Sequence, residues 1–241
     1  VRRSIVFFSL LMACAPPAPR AELSVAAASS LTDVLPAIAR AQGRRLEAHF
    51  DASSALARQI EGGAPVDVFL SADEAWADHV IAAGFASSSD RVAFATNRLV
   101  VVVPATSTER PSSLSSLTSC EHIAVAAAEV PAGRLARAAL EHEHVLASLT
   151  DRLVDAPNVR GALAWVTRGE ADAAIVYATD ARIEPAVVVA FEIPAEAAPP
   201  AVDVAVALHG DHRATALAFV EALRSPASQA ALAAAGFGPP P

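Results

Sequence analysis

Residues 46–84 read LEAHFDASSALARQIEGGAPVDVFLSADEAWADHVIAAG. Leu46–Phe50 has strand character, and Leu56–Glu61 follows with helical character. That helix stops at Gly62-Gly63, because glycine ends a helix where the backbone must turn left-handed. Val66–Leu70 is a near-continuous apolar strand of the kind buried on both faces of a parallel sheet. Ser71 is placed to cap a further helix that carries Trp76, Val80 and Ile81 and closes at Gly84. Strand, helix, strand, helix with short connections predicts an α/β fold built from parallel units.

The same alternation extends outward. Leu23–Ala28 reads as a strand and Leu31–Ala41 as a helix with Leu31, Leu35 and Ile38 on one face. Pro36 either kinks this helix or marks its true first turn. Further on, the strand Ile123–Ala127 precedes the helix Gly133–Glu143, and the helix Val159–Arg168 ends at Gly169. Ala173–Tyr177 and Val187–Phe191 read as strands, Thr215–Arg224 and Ser228–Ala235 as helices. Two long apolar runs, Leu99–Val103 and Val204–Leu208, separate the β/α groups. They predict two lobes joined by two crossover strands, with residues 22–98 and 205–241 in lobe I and 99–204 in lobe II.

Composition narrows the chemistry. All 18 basic residues are arginine, which removes Schiff-base, P-loop-lysine and lysine general-base mechanisms. A net charge of −8 argues against nucleic acid, whose phosphates require basic patches. At the N-terminus Arg2 and Arg3 precede the apolar run Ile5–Ala13, which has the length of a secretory h-region and is too short to span a bilayer. Residues 1–21 are therefore expected to be a signal peptide, cleaved either before Cys14, which would then carry lipid, or near Ala21. The expected location is the periplasm. Cys120 is then the one remaining thiol, so stability must come from packing and not from a disulfide.

Four places run from a strand directly into a helix: Ala26–Ser30 into Leu31, Phe50–Ser54 into Ala55, Val130–Ala132 into Gly133, and Asn158–Val159 into Arg160. Helix N-termini leave N–H groups unpaired and carry partial positive charge. Several converging on one point would hold an anion without a charged side chain. On position alone, Ser29, Ser30, Ser53 and Ser54 read equally well as helix caps.

The stretches AAASSLTD (26–33), ASSALARQIEGGAPVDVFLSAD (52–73), VPAGRLARAAL (130–140) and NVRGALAWVTRGEADAAIVYATDA (158–181) resemble the periplasmic molybdate-binding proteins of ABC uptake systems. The likeness covers nearly the whole chain after the leader, in order. It implies a two-lobed periplasmic-binding-protein fold, each lobe a mostly parallel sheet flanked by helices, that closes on molybdate or tungstate. It further implies that Ser30 and Ser53 are hydroxyl ligands from lobe I, that Ala132 and Val159 offer backbone N–H groups from lobe II, and that Tyr177, the single tyrosine, donates its hydroxyl. Molybdenum or tungsten would be held through its oxygens, with no direct metal ligands and no cofactor. The implied partner is a membrane permease, and the implied state a monomer without catalytic activity.

The chemistry of such a ligand agrees. Molybdate at neutral pH is a proton-free tetrahedral dianion, so a suitable site supplies donors only. Sulfate shares that property and is the nearest rival; phosphate keeps a proton and needs an acceptor such as Asp. A secreted serine hydrolase is a remoter reading, because no Gly-x-Ser-x-Gly motif is present. Arg160 reads as a structural brace, with Asp155 as a candidate partner. The cluster Glu141-His142-Glu143-His144 reads as a solvated helix end, since residues two apart on a helix diverge. His209 and His212 are expected on the surface.

Overall fold

The computed structural model describes residues 22–241; the expected leader, Cys14 included, lies outside them. The strands are β1 (Leu23–Ala28), β2 (Leu46–Asp51), β3 (Val68–Ser71), β4 (Arg91–Asn97), β5 (Leu99–Pro104), β6 (Ile123–Ala126), β7 (Leu153–Ala156), β8 (Ala173–Tyr177), β9 (Val187–Glu192) and β10 (Ala201–Ala207). The helices are α1 (Leu35–Ala41), α2 (Ser53–Glu61), α3 (Glu74–Ala82), α4 (Pro131–His142), α5 (Leu146–Leu149), α6 (Val159–Thr167), α7 (Ala178–Ile183), α8 (Arg213–Ala222) and α9 (Pro226–Ala235).

The strands form two five-stranded sheets, ordered β2-β1-β3-β10-β4 and β7-β6-β8-β5-β9. In the first, β1 is parallel to β2 and β3, and β10 is antiparallel to β3 and β4. In the second, β6 is parallel to β7 and β8, and β5 is antiparallel to β8 and β9. Each lobe is thus a four-way parallel sheet crossed by one opposed strand. That strand is in each case the one arriving from the other lobe.

The lobes exchange chain at Arg98, between β4 and β5, and over residues 193–200, between β9 and β10. Leu99–Pro104 itself lies wholly in the second sheet and Ala201–Ala207 wholly in the first. A boundary at 204/205 would cut β10, so the return to lobe I precedes Ala201.

Local chemistry sets the element ends. Pro36 stands in the first turn of α1, where its missing N–H costs no helical bond, and a separate turn of 3₁₀ helix covers Ser29–Leu31. The cap of α3 is Asp73 and not Ser71: Asp73 Oδ1 accepts the Trp76 N–H at 2.9 Å, while Ser71 ends β3. Ser53 is the first residue of α2, and its N-cap is Ala52, so no side chain caps that helix.

Alanine, valine and leucine fill the core, with Phe69, Phe94, Phe219 and Tyr177 its largest buried side chains. Leu56, Ala57 and Ile60 turn the buried face of α2 onto Ala26 and Phe69 in β1 and β3. Truncating such a leucine to alanine costs about 2–5 kcal/mol, so this face fixes where the first turn of α2 points. Cys120 is free and buried.

Candidate functional site

Gly133 decides how the second lobe reaches the cleft. A Cβ there would lie 2.1 Å from the Ala126 carbonyl oxygen and 2.2 Å from that of Ala127. Only glycine lets the first turn of α4 sit on the end of β6. Pro131 precedes it without an N–H, so Ala132 carries the first free amide of that helix. At α6, Asn158 Oδ1 accepts the Gly161 N–H at 3.0 Å and leaves the Val159 N–H in the unpaired first turn.

These two helix ends meet the Ser29–Leu31 turn and the start of α2 around a small cavity with about 210 Å³ of empty space. Ser29, Ser30, Asp51, Ala52, Ser53 and Ala72 line it from lobe I; Val130, Pro131, Ala132, Val159 and Tyr177 line it from lobe II. All five residues singled out as ligands, Ser30, Ser53, Ala132, Val159 and Tyr177, are therefore brought together. A larger hollow, the groove beside Arg110 and Asp172, gathers none of these five residues.

The wall is rich in donors. The hydroxyls of Ser30 and Tyr177 are buried and bond to nothing in the protein. An unpaired buried hydroxyl costs about 1–3 kcal/mol, so two at one cavity point to a missing partner. Ser53 Oγ accepts the Ala72 N–H at 3.0 Å, which leaves its own proton free to donate. Burial pushes the Tyr177 phenol well above its ordinary pKa, and the carboxylates of Asp203, Asp73 and Asp180 add to this; the hydroxyl stays protonated and can act as a donor. Converging neutral donors suit an anion whose oxygens only accept.

Sequence reading missed the acidic groups around this wall. Asp51 lines the cavity, and its Oδ1 accepts from the Ala52 N–H at 2.7 Å and from Asn158 Nδ2 at 3.1 Å. Asp180 is fully buried; burial raises its pKa to about 6 against the opposing effect of Arg160. Asp203, on β10, is buried with both carboxylate oxygens unpartnered, and its pKa is raised well above the ordinary value by burial and then by Asp180 and Asp73. Of these only Asp73 had a local signal, standing three residues before Trp76 at a helix start.

Arg160 braces, but not against Asp155, whose partner is Arg137. Its Nη2 donates to Asp33 across the seam at 2.6 Å and its Nε to Asp180 at 2.5 Å. Arg134 pairs with Asp73 across the same seam, and Trp76 Nε1 donates to the Glu129 carbonyl at 2.9 Å. The two lobes are thus held against each other by polar contacts across the seam. Glu141, His142, Glu143 and His144 stand exposed at the end of α4; His212 pairs with Asp67 on the surface.

Comparison with known proteins meets this geometry. The bacterial extracellular solute-binding protein family matches residues 23–238. The chain belongs to that family. Among curated relatives of this solute-binding protein, the molybdate-binding protein ModA of Escherichia coli is 35% identical over 220 residues, covering 87% of this chain and 86% of the relative. The molybdate-binding protein ModA of Haemophilus influenzae is 32% identical over 231 residues, covering 91% of each. The solved periplasmic molybdate-binding protein of Azotobacter vinelandii superposes with a TM-score of 0.80 at 27% identity, over 91% of this chain and all of that one. The two-lobed architecture described above is the one these solute-binding proteins share.

Proposed function

We propose that this protein binds molybdate or tungstate between its lobes and delivers it to an ABC importer in the membrane. The observation that carries the reading is the pair of orphaned hydroxyls, Ser30 and Tyr177, in a cavity walled by both lobes. Ser30, Ser53 and Tyr177 donate from their hydroxyls, Ala132 and Val159 from their main-chain N–H groups. The N-termini of α4 and α6 each add about half a positive charge, and together they offset about half of the ligand's two negative charges without a buried arginine.

The ligand docks on the first-lobe serines in the open form, and closure brings lobe II onto the remaining oxygens. The protein carries out no reaction on the ion. It acts as a monomer outside the cytoplasm, released or held by lipid on Cys14, and the permease reads the closed form. Asp51 supports a second, weaker reading, since a carboxylate in the wall is the acceptor that a proton-bearing oxyanion such as phosphate requires.

Thermal melts with molybdate, tungstate, sulfate and phosphate test both. An ion at 100 times its dissociation constant stabilises by about 2.7 kcal/mol. Molybdate and tungstate are expected to shift the melt at the lowest concentrations. A larger shift with sulfate or phosphate would reassign the ligand, and no shift with any of the four would reject oxyanion binding.

A further inference from the structure

Arg160 sits in the first turn of α6, where a cation opposes the positive end of the helix. Two carboxylates from different lobes hold it there. Its Nη2 donates to Asp33 Oδ2 in lobe I, and its Nε donates to Asp180 Oδ1 in lobe II. Asp180 Oδ2 in turn accepts the N–H of Tyr177 at 3.3 Å. A continuous chain of polar contacts therefore leads from the surface of lobe I to the residue whose hydroxyl faces the cavity.

We infer that Arg160 is a positioning residue that couples closure of the cleft to the placement of Tyr177, with Asp33 as the trigger and Asp180 as the relay. The inference rests on the proposed oxyanion site and deepens it. Arg160 and Asp180 share a lobe, so opening leaves that pair intact and removes only Asp33. The guanidinium is a rigid planar fork, and anchoring it at both ends fixes its plane; anchoring at one end does not. With the plane fixed, the Asp180 carboxylate is held, and so is the main chain at Tyr177. Asp180 is fully buried, so it has no alternative partner in water to drift toward.

Trp76 provides the readout, because its indole N–H crosses the seam to the Glu129 carbonyl. In a Trp165→Phe background its fluorescence reports closure, and stopped-flow mixing with molybdate gives both rate constants. Asp33→Asn is expected to raise the dissociation rate about two- to fivefold, the effect of losing one half-exposed ion pair. The association rate and the melting temperature of the ligand-free protein should not change. Arg160→Lys, which keeps the charge and loses the fork, should behave like Asp33→Asn. In a Tyr177→Phe background the effect of Asp33→Asn should shrink, because the part that acts through placement of the tyrosine hydroxyl is gone and only the direct loss of the seam ion pair remains. An Asp33→Asn effect of full size in that background would overturn the coupling, as would an unchanged dissociation rate in the single variant. Wild-type protein that binds none of molybdate, tungstate or sulfate would reject the proposed function and this inference together; normal wild-type binding with an indifferent Asp33→Asn would reject the inference alone.

Discussion

The turn after β2 and the turn after β7 hold corresponding places at the edges of the two sheets, and each opens a helix onto the cavity. They are built oppositely. At α2 no side chain caps the helix, and Ser53, its first residue, turns its hydroxyl to other work. At α6 Asn158 caps the third amide, and what remains for the cavity is the main-chain N–H of Val159. The same division holds between the turns after β1 and β6, where Ser30 faces Ala132. The turns of lobe I thus present rotatable hydroxyls to the cavity. The helix starts of lobe II present amides fixed by helix geometry, to which Tyr177 on β8 adds one hydroxyl.

This contrast can be broken most severely at Gly133. Gly133→Ala forces the first turn of α4 off β6 and should cost about 3 kcal/mol, the upper part of the overpacking range. Loss of oxyanion binding should accompany the lower denaturation midpoint; a variant that melts and binds like wild type would show that the close approach is not needed.

A similar magnitude is expected at the seam, from pH. Asp180 has a pKa near 6 when folded against a reference of 3.8, so between these values the native state holds a proton that the unfolded state has lost. Stability therefore falls as pH rises from about 4 to about 6, by on the order of 3 kcal/mol. Asp203, whose pKa burial and then its acidic neighbours raise well above the ordinary carboxylate value, adds to the fall in the same sense. Urea denaturation across this range should show the slope, and Asp203→Asn should make it shallower.

Ser53→Ala removes one donor to a charged ligand and should weaken binding by about 1.5–3 kcal/mol; it also strips the buried Ala72 N–H of its acceptor, so the ligand-free melt should fall too, by the equivalent of about 1–3 kcal/mol. The smallest effect is the sharpest test of the division between lobes. Val159→Ala keeps the amide that faces the cavity and should leave affinity within about threefold, although the side chain is buried and its truncation lowers the melting temperature of the ligand-free protein. Calorimetric titration of both variants decides this; comparable losses at Ser53 and Val159 would mean that the Val159 side chain, and not its amide alone, contributes to binding.

The β/α alternation was readable because apolar runs such as Val68–Ser71 and the buried face of α2 announce themselves by period. Strand β4, Arg91–Asn97, mixes charge, aromatic and polar residues without a clear alternation, and β7 has only four residues; neither stood out. Strand direction was legible only in part, because β5 and β10 run antiparallel for a reason external to their sequence, namely the lobe from which the chain arrives. The cavity wall was legible where donors cluster at strand–helix junctions. Its ionic seam was not, since Arg134 finds Asp73 at a separation of 61 residues and Arg160 finds Asp33 at 127, distances over which no local pattern extends.

The exchanged strands also dictate an order of assembly. The second sheet is encoded without interruption, β5 through β9, and can pair completely once residue 192 is available. The first cannot: β4 pairs with β10, more than a hundred positions later, and at Thr96 with Gly238, later still. As the polypeptide is made from its N-terminus, β4 and the free edge of β3 must wait for β10 while the second sheet forms. The interval between residues 97 and 207 is therefore when this protein is most exposed to chaperones, proteases and wrong partners.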